Sequence, residues 1–356
     1  MNAHLRLRPQ PVRAIRGDPS RVLLAMLLLV VANGEPAAAV ERMLPRAIVR
    51  STRLVHERRG QASIVCPDIA EGRMLGRAVQ KAIATATGVE LEVVVDSAVV
   101  DQIPEWPHKR FHSHPLILIG NISNNRALIP LYGNLLAGAD AHYPGADGYT
   151  VRTVVNPYGS GVNEIVLGAS SVAGMKRAVE AFARIVRENG RRGTLTVPSL
   201  LTVVPGGEYV EIVARAGSSA LNFQWTGRQD ILQTVIEKVR AAPFMKPETK
   251  SYNPSHYGKE SVVRELIALI QSGALRPDEV NHIENILLAG LHEEIGQPWI
   301  VHEPKWVGTR HQTMGMMGFL VTADYLLNRA HPNEESAAFL KTCVDQSHAY
   351  FHQFDE

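Results

Sequence analysis

From Gly227 onward the chain has no strand-like run left. Every apolar pattern in residues 228–356 recurs at helical spacing, whereas before residue 200 short β-rich runs alternate with amphipathic helices. This change of period excludes a single repeating βα architecture and predicts an α+β chain: a small α/β sandwich followed by an all-α part. No repeat of fixed length and no low-complexity tract interrupts either half. Among 356 residues, 37 basic against 35 acidic side chains leave a net charge of +2, a balance that does not suggest a nucleic-acid binder.

The basic residues that do cluster lie in the leader. Arg6, Arg8, Arg13, Arg16 and Arg21 precede the apolar run Val22–Ala32, which is shorter than the about 20 residues that a bilayer-spanning helix needs. With the small residues Ala37, Ala38 and Ala39 after it, residues 1–39 read as a signal peptide cleaved after Ala39. The expected location is periplasmic or secreted, with no stable membrane span after cleavage. Cys66 and Cys343 fall in different halves, which argues against a disulfide between them; two cysteines exclude a disulfide scaffold, and Cys66 reads as a core residue.

In the first half, Ala62–Cys66, Leu91–Val95 and Leu116–Ile119 are predicted strands, the last buried on both faces. Leu75, Val79 and Ile83 mark a helix that Asp68 would cap and Gly88 would end. Tyr149–Val155 and Glu164–Leu167 form a hairpin across Asn156-Pro157-Tyr158-Gly159. A long helix with Met175, Val179, Phe182 and Val186 inward then starts at Ser170 or Ser171. Residues 201–227 read as a linker of turns and strand fragments. Helices are predicted over Arg228–Ala241, Ser255–Ser272, Pro277–Glu294, Gln312–Asn328 and Glu334–Phe354.

Leu116-Ile117-Leu118-Ile119-Gly120-Asn121, followed by Ile165-Val166-Leu167-Gly168-Ala169-Ser170-Ser171-Val172-Ala173-Gly174, resembles the α/β domain that precedes the catalytic domain of glycan-degrading enzymes such as alpha-glucuronidases and beta-hexosaminidases. The resemblance covers residues 45–200 and implies an accessory domain without chemistry of its own. A TIM barrel follows in those families. Here helices follow, which is similar to the start of the α/α-toroid of polysaccharide lyases. Arg310-His311-Gln312-Thr313 resembles an Asn-His-x-Thr segment of such toroids, with Arg in place of Asn. A toroid is longer than residues 228–356, so the helical part is expected to be incomplete.

A lyase of uronic-acid glycans removes a proton beside a carboxylate, so it needs a group that neutralises the carboxylate, a base, and an acid for the leaving oxygen. Residues 297–312 carry such groups. Arg310 would pair with the carboxylate and His311 would relay the proton. Trp299 and Trp306 either stack on sugar rings or anchor the loop, and Glu303 lies between them. A second polar-aromatic loop holds Asn253, His256 and Tyr257, suited either to the lyase site or to a simple turn.

No cofactor or metal is expected. His108, His112 and His114 read as a solvated loop. His292-Glu293-Glu294 lacks the second His of a zinc motif, since Gly296 stands there, and Gly120-Asn121-Ile122-Ser123 lacks the spacing and Lys of a phosphate loop. The expected partner is a polysaccharide substrate. A non-catalytic exported glycan-binding module remains an alternative. So does a toroid glycoside hydrolase, which would draw its two carboxylates from Glu293, Glu294 and Glu303.

Overall fold

A computed structural model describes residues 43–46, 48–101, 107–207, 220–255, 258–297, 300 and 310–352, with backbone only for Arg310 and His311. Strands and helices mix up to Val204, and among the described residues the later elements are helices, so the fold class is α+β.

Six strands form the central sheet, in the order β10-β6-β7-β5-β3-β4. β3 (Ser63–Cys66), β4 (Glu92–Val95), β5 (Leu116–Gly120) and β7 (Glu164–Ala169) run parallel. β6 (Tyr149–Val154) and β10 (Leu201–Val204) are antiparallel at one edge. Alternation along each strand divides the apolar residues between two cores. Ile64, Cys66, Ile117, Ile119, Ile165 and Leu167 belong to one, and Val65, Leu116, Leu118 and Val166 to the other. β5 is therefore buried on both faces, as its continuous apolar run requires.

Helices α1 (Ala70–Thr87) and α3 (Val172–Asn189) pack together on the first face. Leu75, Val79 and Ile83 point inward from α1, and Gly76 lets that helix settle on the sheet. A Cβ there would lie 2.9 Å from Val93 Cγ1 and 3.3 Å from Cys66 Sγ. Gly88, at φ +75°, ends α1 in the left-handed region that favours glycine. Asp68 is not the cap. The N-cap position is Ile69, and the Asp68 carboxylate accepts instead from Arg73. Ser171 does cap α3, accepting the Gly174 N–H at 3.1 Å.

A second sheet was not evident in the sequence: β2 (Arg59–Gly60), β1 (Ser51–His56), β9 (Thr194–Pro198) and β8 (Gly190–Arg191), all antiparallel. Leu54, Val55, Leu195 and Val197 join the core of α1 and α3. On the opposite face of the central sheet lie three short 3-10 turns and α2 (Ile129–Gly133), which bring in Phe111, Leu128 and Leu131.

Helices α4 (Ala220–Thr226), α5 (Gln229–Arg240), α6 (Lys259–Ser272), α7 (Pro277–Glu294), α8 (Arg310–Asn328) and α9 (Glu334–His352) share a third core. The two halves are stitched together. Met43 is fully buried among the helices, its N–H donating to Asn285 Oδ1 at 3.2 Å. Arg46 pairs with Glu284 at 2.8 Å. The stretch expected as a linker supplies the edge strand β10 and helix α4. Just before it, Leu200 and Thr153 exchange hydrogen bonds of 2.9 and 2.8 Å. Among the described residues no helix is long and apolar enough to cross a membrane. The leader, including Val22–Ala32 and Ala37–Ala39, lies outside them.

Candidate functional site

Asn253, from one of the loops singled out by the sequence, and the end of α7 meet at one buried ion pair. Pro277 opens α7, and Glu279 closes its first turn by accepting the Arg276 N–H at 2.8 Å. Five turns later α7 ends at Glu294, which is 2% exposed. Lys259, the first residue of α6, is equally buried, and its ammonium donates to the Glu294 carboxylate and to Asn253 Oδ1, the latter at 3.1 Å. The Phe319 ring centroid lies 5.8 Å from the same nitrogen.

Burial pulls the Lys259 ammonium down to about 8 and pushes the nearby Cys343 thiol up to about 12. Cys343 is thus a neutral core residue. The Lys259–Glu294 pair is closed from solvent and hydrogen-bonded, so its role is to fix backbone rather than to exchange protons with a substrate.

Asn253 is held from both sides. The neighbouring Tyr252 N–H donates to the Ile286 carbonyl at 2.9 Å, and the Tyr252 ring stacks on Phe244 at 4.5 Å. The 252–253 segment therefore runs along the second half of α7, and Asn253 serves as an acceptor for Lys259. Arg310 and His311 occupy the first turn of α8. They lie eight and seven residues before Gly318, against which the Lys259 stem packs, about 12 Å along the helix axis. Next to them Thr313 Oγ1 and Tyr350 OH are 3.0 Å apart, tying the start of α8 to α9. His256, Tyr257, Trp299, Glu303 and Trp306 lie outside the described residues.

The histidines of residues 108–114 are separately engaged. His108 faces Asp101 at 3.3 Å. His112 Nε2 contacts the Pro107 carbonyl at 2.6 Å, and its ring stacks on Tyr158 at 4.8 Å. His114 lies 3.1 Å from Ser63 Oγ, and burial lowers its pKa. Among the described residues no three His, Cys, Asp or Glu side chains are grouped to hold a metal.

Lys259 carried no signal in the sequence. A lysine at the start of a helix is ordinarily solvated, and Gly318, Phe319 and Glu294, all distant in sequence, surround this one. Arg152 could have been noticed as the one charge inside the strand Tyr-Thr-Val-Arg-Thr-Val.

No family model matches the chain, and no curated protein sequence matches it. Among solved structures it is similar to Streptomyces plicatus N-acetyl-beta-hexosaminidase in complex with Thio-NAglucal, at a TM-score of 0.26 and 16% identity over 52% of this chain. A mutant of the Streptomyces plicatus beta-hexosaminidase in complex with its product GlcNAc gives a TM-score of 0.26 and 15% identity over the same share. In both cases the chain spans 34% of the other protein's length.

Proposed function

We propose that this chain belongs to an exported glycan-processing enzyme that cleaves uronic-acid-containing polysaccharides by β-elimination. The observation that carries the reading is the Asn253–Lys259–Glu294 contact. It ties Asn253, three positions before His256 in the sequence, to Glu294 at the end of α7, five positions before Trp299. In this reading the Arg310 guanidinium pairs with the substrate carboxylate. A base drawn from His311, His256 or Tyr257 takes the proton beside it. The glycosidic C–O bond breaks as the new C=C bond forms, and the leaving oxygen is protonated. Asn253 acts in positioning.

In the toroid hydrolase reading the Glu294 carboxylate is committed to Lys259, so the two acids would be Glu293 and Glu303. Export rests on the basic leader and the short apolar run. The expected mature N-terminus is Val40, which N-terminal sequencing of the exported form checks.

The test is ultraviolet absorbance of the unsaturated product on a panel of acidic polysaccharides. A rise with at least one uronic-acid polymer supports the reading. Cleavage with new reducing ends and no absorbance replaces it by hydrolysis, and binding without cleavage replaces it by the non-catalytic module.

A further inference from the structure

We propose that the cavity beside Arg152 binds a small hydroxylated carboxylate, of the size and chemistry of a single sugar acid. The cavity has a volume of about 440 Å³ and lies between the β6–β10 edge of the central sheet and helices α4 to α6. That is within the about 300–1,000 Å³ common for small-molecule sites.

Its wall carries charge of one sign. Arg152 projects from β6, is 6% exposed, and donates from Nη1 to the Gln224 carbonyl at 3.2 Å. Its buried Nε has no acceptor. Burial lowers this guanidinium to about 10, which leaves it a cation at neutral pH. Arg50 adds a second guanidinium, which among the described residues donates to the Ser272 and Gly273 carbonyls, at 2.6 and 3.1 Å. Among the described residues no Asp or Glu lines the cavity. The buried cations Lys259 and Arg46 each have a carboxylate in contact, whereas Arg152 and Arg329 are buried with a nitrogen that lacks an acceptor, and of these two only Arg152 lines this cavity. A buried charge without a counter-ion is costly, and here open space adjoins it.

The lining selects the ligand: Arg152 and Arg50 supply positive charge, and no carboxylate among the described residues competes for it. The planar guanidinium fork matches a carboxylate in a two-pronged contact. The remaining lining divides between apolar side chains such as Phe223 and Leu232 and the uncharged amides of Gln229 and Gln271, which suits the faces and hydroxyls of a sugar ring. Doubly charged phosphate is usually held by several backbone N–H groups as well as cations, and the uncharged amides here suit hydroxyls instead.

The experiment is isothermal titration of the protein with D-glucuronate at neutral pH, beside glucose, inorganic phosphate and sulfate. The expected result is saturable glucuronate binding with a Kd of about 1 mM or tighter, and at least tenfold weaker binding of glucose and of both inorganic anions. Arg152→Met is expected to weaken glucuronate binding at least tenfold. Because removing a buried side chain can disturb folding, Ser199→Trp at the exposed rim is the second variant, and it should block binding while leaving the guanidinium in place. Absence of saturable glucuronate binding overturns the proposal. So does preference for phosphate or sulfate, or binding that survives a folded Arg152→Met or Ser199→Trp. None of these measurements reads elimination chemistry, so the result stands or falls apart from the lyase reading.

Discussion

Gly318 on α8 leaves the space that the Lys259 side chain fills. A Cβ added there would lie 2.7 Å from Lys259 Cγ and 2.8 Å from its Cβ. Those atoms cannot swing away, because the backbone of α6 holds one end of the side chain and Glu294 holds the other. Gly318→Ala sets two effects against each other. Alanine favours a helix interior over glycine by about 1 kcal/mol, while overpacking a filled core costs about 1–3 kcal/mol. The expected outcome in urea unfolding is a net loss of about 1 kcal/mol. A gain in stability would show that the two helices do not pack this closely.

The ion pair itself is asymmetric under mutation. Lys259→Met strands the Glu294 carboxylate in a site that is 2% exposed, and the expected destabilisation is about 3–5 kcal/mol. Adding Glu294→Gln removes the stranded charge, so the double variant should recover most of that loss. A double-mutant cycle in denaturant measures the coupling. If the two single changes simply add, the side chains are not in contact.

These two residues also show where sequence reading reached and where it stopped. α7 was legible to its last residue, because Pro277 marks the start and the apolar spacing persists to Glu294. The two-face burial of β5 was legible from its continuous apolar run. The outer sheet was not, since Ser51–His56 mixes polar and apolar residues and its partner Thr194–Pro198 lies about 140 positions later. In the candidate site, Asn253 stood out as a polar residue in a loop, but its partner did not. The burial of Lys259 is written in Gly318, Glu294 and Phe319, and no local pattern links those positions. Arg152 differs in kind. A single charge in an apolar strand is a local signal, and its meaning came only with the cavity beside it.

Glu164 gives the protein a pH dependence of predictable sign. It is fully buried, its Oε2 accepts the Leu116 N–H at 2.6 Å, and its Oε1 has no donor. Burial pushes its carboxyl well above the ordinary value of 4.5. A folded-state pKa raised above the unfolded one means that the native state holds the proton longer. The contribution of Glu164 to stability is then complete below pH 4.5 and declines as pH rises toward its folded-state value. Glu164→Gln imitates the neutral acid at every pH. Its melting temperature, relative to the unmodified protein, should therefore improve from acid to neutral pH. A difference that stays constant across that range would mean that Glu164 is not held neutral.

The last prediction separates the candidate chemistry from the other histidines. His112 and His114 belong to the α/β half and have internal partners, the Pro107 carbonyl and Tyr158 ring for one and Ser63 Oγ for the other. Burial lowers the pKa of His114, which favours its neutral form and suits a packing role. Replacing either by Ala should lower stability and leave the rate of a folded enzyme unchanged. Arg310 and His311 stand instead in the first turn of α8, where the free N–H groups and the helix dipole favour negative charge. Proton abstraction beside a carboxylate builds such charge. Removing one donor that stabilises it typically costs about a hundredfold or more in rate. Arg310→Ala and His311→Ala should therefore each reduce the absorbance rate on a uronic-acid polymer by that factor, with melting temperatures near the parent's. If Arg310 pairs with the substrate carboxylate as proposed, its replacement should also raise KM, because the contact would be made to bound substrate as well as to the transition state. Full activity in His311→Ala would remove the start of α8 from the site and return attention to His256 and Tyr257.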